Sequence, residues 1–220
     1  MSTSENKKKV VYFVRHGQSI DNASPVFQAY SSPLSEKGRK QAETIANRVS
    51  TLSFESLIAS PVPRAKETAE AIAKATGNKP EFSELFVERV KPTAIDGTPW
   101  ADKEATKIWR DWEKSLVTPG MRVLDGENFD DIVGRADEAL AYLRDSSESS
   151  IVVVSHGHFI RTIVARALVG GDLTGPMLKR FYMLMSMENT AITVLKYSDA
   201  FEEEFCWRLW THNDHAHFAE

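Results

Sequence analysis

The chain has 220 residues, 42% of them apolar and 26% charged, which is enough to bury the core of one domain. Because the net charge is −4 and the lysines and arginines are scattered, the sequence predicts no nucleic-acid partner and no membrane partner. We expect neither a signal peptide nor a membrane span. Cys206 is the only cysteine, which excludes a disulfide framework and favours a reducing, cytoplasmic location.

The first predicted elements are a strand, a helix and a second strand. Val10–Val14 is short, apolar and β-branched, which predicts a buried strand that ends at the polar segment Arg15–Gly17. Ser35 precedes an amphipathic run that continues to Val49, and this pattern predicts an N-capped helix. Leu57–Ala59 predicts the next strand.

The middle of the chain changes from regular to irregular patterning. Arg64–Ala75 predicts a helix, and Pro80–Val90 predicts a strand with the loop after it. The following segment is rich in tryptophan and predicts only one helix, near Asp102–Leu116. Residues from about 90 to 125 are therefore the predicted cap-like insertion over a substrate.

The last third again alternates helix and strand. The predicted helices are Glu127–Asp145 and Phe159–Leu168. The predicted strands are Ile151–Val154, which ends at the polar segment Ser155–His158, then Thr190–Tyr197 and Glu204–Trp210.

This alternation predicts a three-layer α/β/α sandwich with a mainly parallel central sheet. We expect a disordered tail over residues 1–9, a single domain over 10–211 and a C-terminal tail over 212–220. In such sheets ligands bind beyond the carboxyl ends of the strands, where both histidine-glycine segments fall.

The residue types of the segment Arg15-His16-Gly17 are suited to binding an oxyanion. An arginine offers a rigid fork of donors, and a glycine lets backbone N–H groups approach closely. A histidine acts as a nucleophile when the nitrogen that faces the substrate is unprotonated. A structural histidine beside a surface arginine is the alternative that the three residues alone leave open.

Four segments, in this order, resemble the motifs of the histidine phosphatase (phosphoglycerate mutase-like) superfamily. They are Val14–Ser19 (VRHGQS), Leu34–Ala42 (LSEKGRKQA), Ala59–Ala69 (ASPVPRAKETA) and Ser155–Gly157 (SHG). The resemblance extends from about Val10 to Val169. It implies a phosphoglycerate mutase-like fold with a small cap, and a phosphatase that needs no cofactor and no metal.

The resemblance also implies the roles of individual residues. His16 accepts the phosphoryl group, Arg15 and Arg64 bind its oxygens, and His156 completes the pocket. Positive charge around His16 disfavours its protonation near neutral pH. Asn22 and Gly157 are the further candidates for substrate contact.

The general acid is assigned to Glu88, with Glu84 as the competing candidate. The family's L-x-E pattern fits Phe86-Val87-Glu88, with Phe in place of Leu. An acid that protonates a leaving alkoxide needs a pKa raised toward neutrality, which burial would supply. Glu84 is more simply a solvated glutamate.

The remaining candidates have simpler interpretations. Gln18 and Ser19 are interpreted as ordinary turn formers. Asp125–Asn128 either begins a helix or contacts the substrate, and the sequence fits both interpretations equally well. His158 is expected to act only through its neighbours. A mobile polar tail is the default for the C-terminal histidines His212, His215 and His217, and a metal site is the alternative. Core packing is the default for the tryptophans Trp100, Trp109 and Trp112, and lining an apolar substrate pocket is the alternative.

These residues are compatible with three alternative functions. The resemblance favours a phosphatase for a small-molecule phosphomonoester, and a homodimer stays open. The family's mutases carry Trp where Asp21 stands, and tyrosine-glycine where Val90-Lys91 stand, so a phosphomutase is the second alternative. A non-catalytic phosphate-binding regulator is the third, against which the presence of His16 and both arginines argues.

Overall fold

The computed structural model describes residues 6–202 and 206–218. Within these residues the strands form one sheet in the order β3-β2-β4-β1-β5-β6. The strands are β1 (Lys8–Arg15), β2 (Ser56–Ala59), β3 (Pro80–Phe82), β4 (Ser150–Ser155), β5 (Ile192–Ser198) and β6 (Trp207–Asp214). The α-helices are α1 (Glu36–Val49), α2 (Pro63–Thr76), α3 (Lys103–Ser115), α4 (Phe129–Asp145), α5 (Gly157–Val169) and α6 (Gly175–Leu184).

The sheet is mixed, with β5 as its one reversed strand in the described residues. β3, β2, β4 and β1 pair in parallel, β5 pairs antiparallel with β1, and β6 pairs antiparallel with β5. The predicted mainly parallel sheet is therefore confirmed.

The sheet divides the interior into two apolar cores, because side chains alternate between its faces. Val11 and Phe13 of β1 face a core that includes residues of α4, α5 and α6. Val14 of β1 and Val152 of β4 face the core that includes residues of α1 and α2. Helices thus cover both faces of the sheet, as the predicted three-layer α/β/α sandwich requires.

Both predicted tails are too long. β1 begins at Lys8, since backbone pairing with β5 continues past the apolar run; residues 1–5 lie outside the described part of the chain. β6 continues to Asp214, so His212 lies in a strand and not in a tail. Residues 204–205 of the predicted last strand, and 219–220, also lie outside the described residues.

The segment predicted as a cap contains α3 and a small apolar cluster of its own. Ile95, Ala105, Ile108 and Trp109 pack there with Phe27 from the first loop, apart from the two main cores. No helix in the described ranges is long and apolar enough to cross a membrane.

Candidate active site

The two histidine-glycine segments meet because β1 and β4 are neighbours in the sheet. Arg15 pairs with Ser155 at the end of the ladder, and the N–H of His16 donates to Ser155 O at 3.0 Å. His156 is the N-cap of α5. The rings of His16 and His156 consequently lie with their centroids 4.9 Å apart.

Residues of α1 and α2 hold the loop that follows His16. Gly17 N–H donates to Thr68 Oγ1 at 3.1 Å, and Gln18 N–H donates to Gln41 Oε1 at 2.8 Å. A Cβ on Gly38 would lie 1.9 Å from Gln18 O, so α1 approaches the loop at a distance that only glycine allows. The second and third motifs therefore position the first.

His16 presents an unprotonated nitrogen to the site. The side chain is 2% exposed, and its Nδ1 lies 2.7 Å from Gly17 O, so Nδ1 carries the proton. Nε2 accepts from Arg64 Nε at 3.3 Å. Burial, followed by the positive charge of Arg64, lowers the pKa of His16 well below its ordinary value. The ring is therefore neutral at pH 7.

The two arginines of the site differ in burial: Arg64 is buried, and Arg15 is partly buried. Arg64 is 4% exposed, and its Nη1 donates to the carbonyl oxygens of Ala29 and Tyr30 at 3.2 and 3.3 Å. Burial lowers the pKa of Arg64 to about 10, which still leaves it protonated at neutral pH. Arg15 donates from Nη1 to Met187 O, while its buried Nε has no hydrogen-bond partner within residues 6–202 and 206–218.

His156 also has a buried ring nitrogen with no partner in the part of the chain that the structure describes. Its Nε2 lies 2.9 Å from Ser60 Oγ, which accepts from Val62 N–H at 3.3 Å. The Ser60 hydroxyl can donate to Nε2, and in that tautomer the imidazole proton sits on the buried Nδ1, which has no partner among the described residues. Burial, followed by the charge of Arg64, lowers the pKa of His156 well below its ordinary value. An incoming anion would meet this N–H and that of Arg15.

Glu88 lies at the N-terminus of α5, and one expectation about it is wrong. Its Oε1 accepts from Phe159 N–H at 3.0 Å, and its Oε2 accepts from His158 N–H at 3.2 Å. Burial alone would raise the pKa of Glu88, but contacts with the His158 side chain and the hydrogen bond from the N–H of Arg89 hold it well below its ordinary range. The predicted raised pKa therefore does not apply to this carboxylate.

Glu84 occupies a different environment from Glu88. It is exposed in a short 3-10 helix and borders the cavity in front of the site. Burial, and then the nearby Glu84 carboxylate, raise the pKa of Tyr30, which places these two side chains together. Glu84 thus lies in the outer part of the cavity.

The two further substrate-contact candidates differ in position. Asn22 borders the cavity, and its Oδ1 accepts from Ser19 N–H at 3.2 Å. Gly157 lies against an arginine, since a Cβ there would be 3.4 Å from Arg15 Nε. Ser19 is fully buried and accepts from Asn22 N–H at 3.1 Å, as a turn former does.

Two segments that hold the site in place carry no motif by which the sequence alone would identify them. Asn189 Nδ2 donates to His16 O at 2.9 Å, and Thr190 N–H donates to Arg15 O at 2.9 Å. Arg89 is 3% exposed and donates to Trp112 O at 2.9 Å, Ser115 Oγ at 3.2 Å and Glu127 O at 3.1 Å. The role of each segment follows from contacts with residues that are distant in the sequence, so local sequence patterns do not reveal it.

The C-terminal histidines do not converge. His212 lies 3.4 Å from Thr193 Oγ1, and His217 lies 3.3 Å from Thr190 Oγ1. His215 is exposed. In the ranges that the structure describes, no group of three His, Cys, Asp or Glu side chains is arranged to hold a metal ion.

A cavity of about 730 Å³ lies in front of this cluster. Arg64, Glu88 and His158 border it on the side of the histidines, and residues of the first loop and of the predicted cap border most of the rest. Because Arg64 also contacts His16, a phosphoryl group bound at this end would lie next to the histidine.

Comparisons with known proteins identify a family for the chain. The family model of the histidine phosphatase superfamily (branch 1) matches residues 11–209. A probable phosphoglycerate mutase from Photorhabdus laumondii is 34% identical over 166 residues, which cover 72% of this chain and 74% of that protein.

Solved structures share the fold at lower identity. The α-ribazole phosphatase from Shigella flexneri superposes with a TM-score of 0.76 at 17% identity, over 93% of this chain and 96% of that one. A mycobacterial glucosyl-3-phosphoglycerate phosphatase superposes with a TM-score of 0.72 at 22% identity, over 93% and 98%.

Proposed function

The chain belongs to the histidine phosphatase superfamily, and from that premise we propose that it hydrolyses a phosphomonoester through a phosphohistidine on His16. One observation carries the proposal. The buried imidazole of His156 and the partly buried guanidinium of Arg15 lie near His16, and each has a buried nitrogen with no hydrogen-bond partner among the described residues. Together with Arg64, they offer donors to the oxygens of a phosphoryl group.

In the first step the Nε2 of His16 forms a bond to phosphorus, and the bond from phosphorus to the ester oxygen breaks. Arg15, Arg64 and His156 stabilise the charge on the three equatorial oxygens. The leaving oxygen takes a proton from Glu88. In the second step water attacks phosphorus, the N–P bond breaks and the proton of the water returns to Glu88, which releases phosphate and restores His16.

Glu88 must therefore gain a proton when substrate binds. In the structure it is a carboxylate with a lowered pKa. A phosphoryl dianion placed beside it adds negative charge, and a nearby like charge raises the pKa of a carboxyl group. The hydrogen bonds from the N-terminus of α5 fix where that proton is held.

We further propose that turnover needs no divalent metal. Arg15, Arg64 and His156 provide the positive charge and donors that a metal provides in other phosphatases. Hydrolysis should therefore continue after exhaustive treatment with EDTA. Loss of activity that one added metal restores would contradict this part of the proposal.

The alternative is a phosphomutase, since the sequence relatives are named probable phosphoglycerate mutases. The structural neighbours described above are named phosphatases. A mutase passes the phosphoryl group from His16 to a second hydroxyl, whereas a phosphatase passes it to water.

Isotope labelling distinguishes these functions. A panel of sugar phosphates, phosphoglycerates, phosphoserine and simple alkyl phosphates is incubated in ¹⁸O-labelled water, with and without a second alcohol. Hydrolysis predicts phosphate that carries one ¹⁸O atom, and the variant His16→Ala should form none. Transfer to the alcohol without ¹⁸O would indicate a mutase, and binding of phosphate without turnover of any ester would indicate a regulator.

A further inference from the structure

Building on the proposed function, we propose that the cavity selects phosphomonoesters whose alcohol part is apolar and aromatic and carries no negative charge. Three features support this: the size of the cavity, the aromatic side chains around it and the distribution of charge on its walls. None of the three is part of the phosphoryl-transfer step.

The cavity is larger than a small sugar acid requires. Its volume of about 730 Å³ lies in the range of sites that enclose a drug-sized ligand. The phosphoryl group occupies only the end beside Arg64. Most of the volume is therefore available to the alcohol part of the substrate.

Aromatic rings of the cap and first loop line this outer volume. Trp100 is 57% exposed and Tyr30 is 50% exposed, and both border the cavity. Trp109 stacks on Phe27 with ring centroids 5.1 Å apart, and its other neighbour is Trp112 at 5.0 Å. Such surfaces bind an aromatic group by burying apolar area and by ring contacts.

Every lysine and arginine on the cavity wall already has partners. Arg89 is buried against the face of Trp112 and donates to three oxygens of the chain, and also to Glu113 Oε1 at 3.2 Å. Lys91 pairs with Asp96. Arg64 faces His16 at the phosphoryl end. A carboxylate on the alcohol part would therefore have to compete for a cation already engaged.

Two carboxylates on the wall lack a cationic partner. Asp21 accepts from Ala29 N–H at 2.8 Å, and Glu84 lies beside the Tyr30 side chain. In the described part of the chain neither is paired with a lysine or an arginine, and both border the cavity. They repel an anionic alcohol part and leave a neutral one unaffected.

The experiment compares three alkyl esters whose leaving alcohols are of similar basicity: 2-phenylethyl phosphate, glycerol 1-phosphate and 3-phosphoglycerate. We expect kcat/KM for the phenylethyl ester to exceed that for 3-phosphoglycerate on the order of 10²-fold. Equal values, or a preference for 3-phosphoglycerate, would overturn the inference while leaving hydrolysis through His16 intact.

Binding of non-hydrolysable phosphonates keeps the test independent of turnover. By calorimetry on the wild type, 2-phenylethylphosphonate should bind more tightly than 3-phosphonopropionate on the order of tenfold or more. If no ester is turned over but this preference holds, the proposed function fails and the inference about the cavity stands. The reverse order of affinities would overturn the inference.

Two variants locate the preference on the wall. Trp100→Ala should raise KM for the phenylethyl ester about tenfold and leave glycerol 1-phosphate nearly unchanged, because one exposed ring is lost. Trp210→Ala is the matched control, since Trp210 is 68% exposed on β6 and does not border this cavity. Equal effects of the two variants would contradict the assignment.

The charge on the wall is tested by reversing it. Glu84→Lys should raise kcat/KM for 3-phosphoglycerate several-fold, and added salt should reduce the gain because it screens exposed charges. Glu84→Gln, which removes the charge without reversing it, should give a smaller gain. No gain from Glu84→Lys would show that charge at this position does not set the preference.

Discussion

The two ends of the cavity are built in different ways. At the phosphoryl end, His16 and His156 are at most 2% exposed and follow two neighbouring strands, and helices α1 and α2 hold the connecting loop. At the cap end, the walls come from irregular segments around α3, and Trp100 and Tyr30 are half exposed. The proposed chemistry and the proposed choice of substrate therefore fall on separate parts of the chain, and mutations should separate them.

The largest expected separation comes from replacing one buried arginine at each end by lysine. Arg64→Lys keeps the charge but loses the planar fork that contacts His16 and that is proposed to bind the phosphoryl group, so kcat/KM should fall on the order of 10²- to 10³-fold. Arg89→Lys should lower the free energy of unfolding by about 1–3 kcal/mol, because buried acceptors lose their donors. Steady-state kinetics and chemical denaturation measure the two effects.

Arg89→Lys is also the control for Arg64→Lys, since both residues are buried and both variants keep a cation. We expect its kcat/KM to stay within a few-fold of the wild type. Equal losses of activity in the two variants would show that the two ends are not separable.

The next largest effect distinguishes the two glutamates. Glu88→Gln should reduce turnover of an alkyl phosphate on the order of 10²-fold, whereas p-nitrophenyl phosphate, whose leaving group needs no proton, should be affected far less. Glu84→Gln should change turnover of both esters little, because Glu84 lies in the outer cavity. If Glu84→Gln instead shows the loss that depends on the leaving group, the two roles must be exchanged.

The phosphoryl end was predictable from sequence to a much greater extent than the cap end. Two β-branched runs that end in histidine-glycine place His16 and His156 at one sheet edge, and parallel neighbours bring them together. The direction of the pKa shift of Glu88 was not predictable, because it depends first on the side chain of His158, about 70 residues further along the chain. The contacts of Tyr30 and Arg89 depend likewise on distant segments.

Some features of the fold also lacked a local signal. Helix α6 (Gly175–Leu184) is short and was not predicted. The extension of β6 to Asp214 comes from backbone pairing with β5, and backbone pairing does not require apolar side chains. Local patterns indicate where an apolar face is needed, but they do not show how far pairing continues.

The smallest expected effect is on the pH dependence of stability. Burial holds the pKa values of His16 and His156 well below 6.5 in the folded protein. Below about pH 6.5 the unfolded chain therefore binds protons that the folded chain does not, so the free energy of unfolding falls as pH falls. Each histidine contributes a slope of about 1.4 kcal/mol per pH unit in that window.

Denaturant titrations of the wild type and His156→Asn at several pH values measure this slope. Below pH 6.5 the slope of the free energy of unfolding against pH should be smaller in the variant by about 1.4 kcal/mol per pH unit, the contribution of one histidine. Above pH 7.5 the slopes of the two proteins should agree. An unchanged slope below pH 6.5 would contradict the neutral state assigned to His156.

The central claim is that His16 carries the phosphoryl group, and trapping the intermediate tests it most directly. Wild-type protein is mixed with a ³²P-labelled phosphomonoester that it turns over, quenched within the first turnover, digested and mapped. We predict a label that is labile in acid and stable in base, located on His16 and absent from His16→Ala. A label on His156 or on a serine, or steady hydrolysis by His16→Ala, would contradict the account.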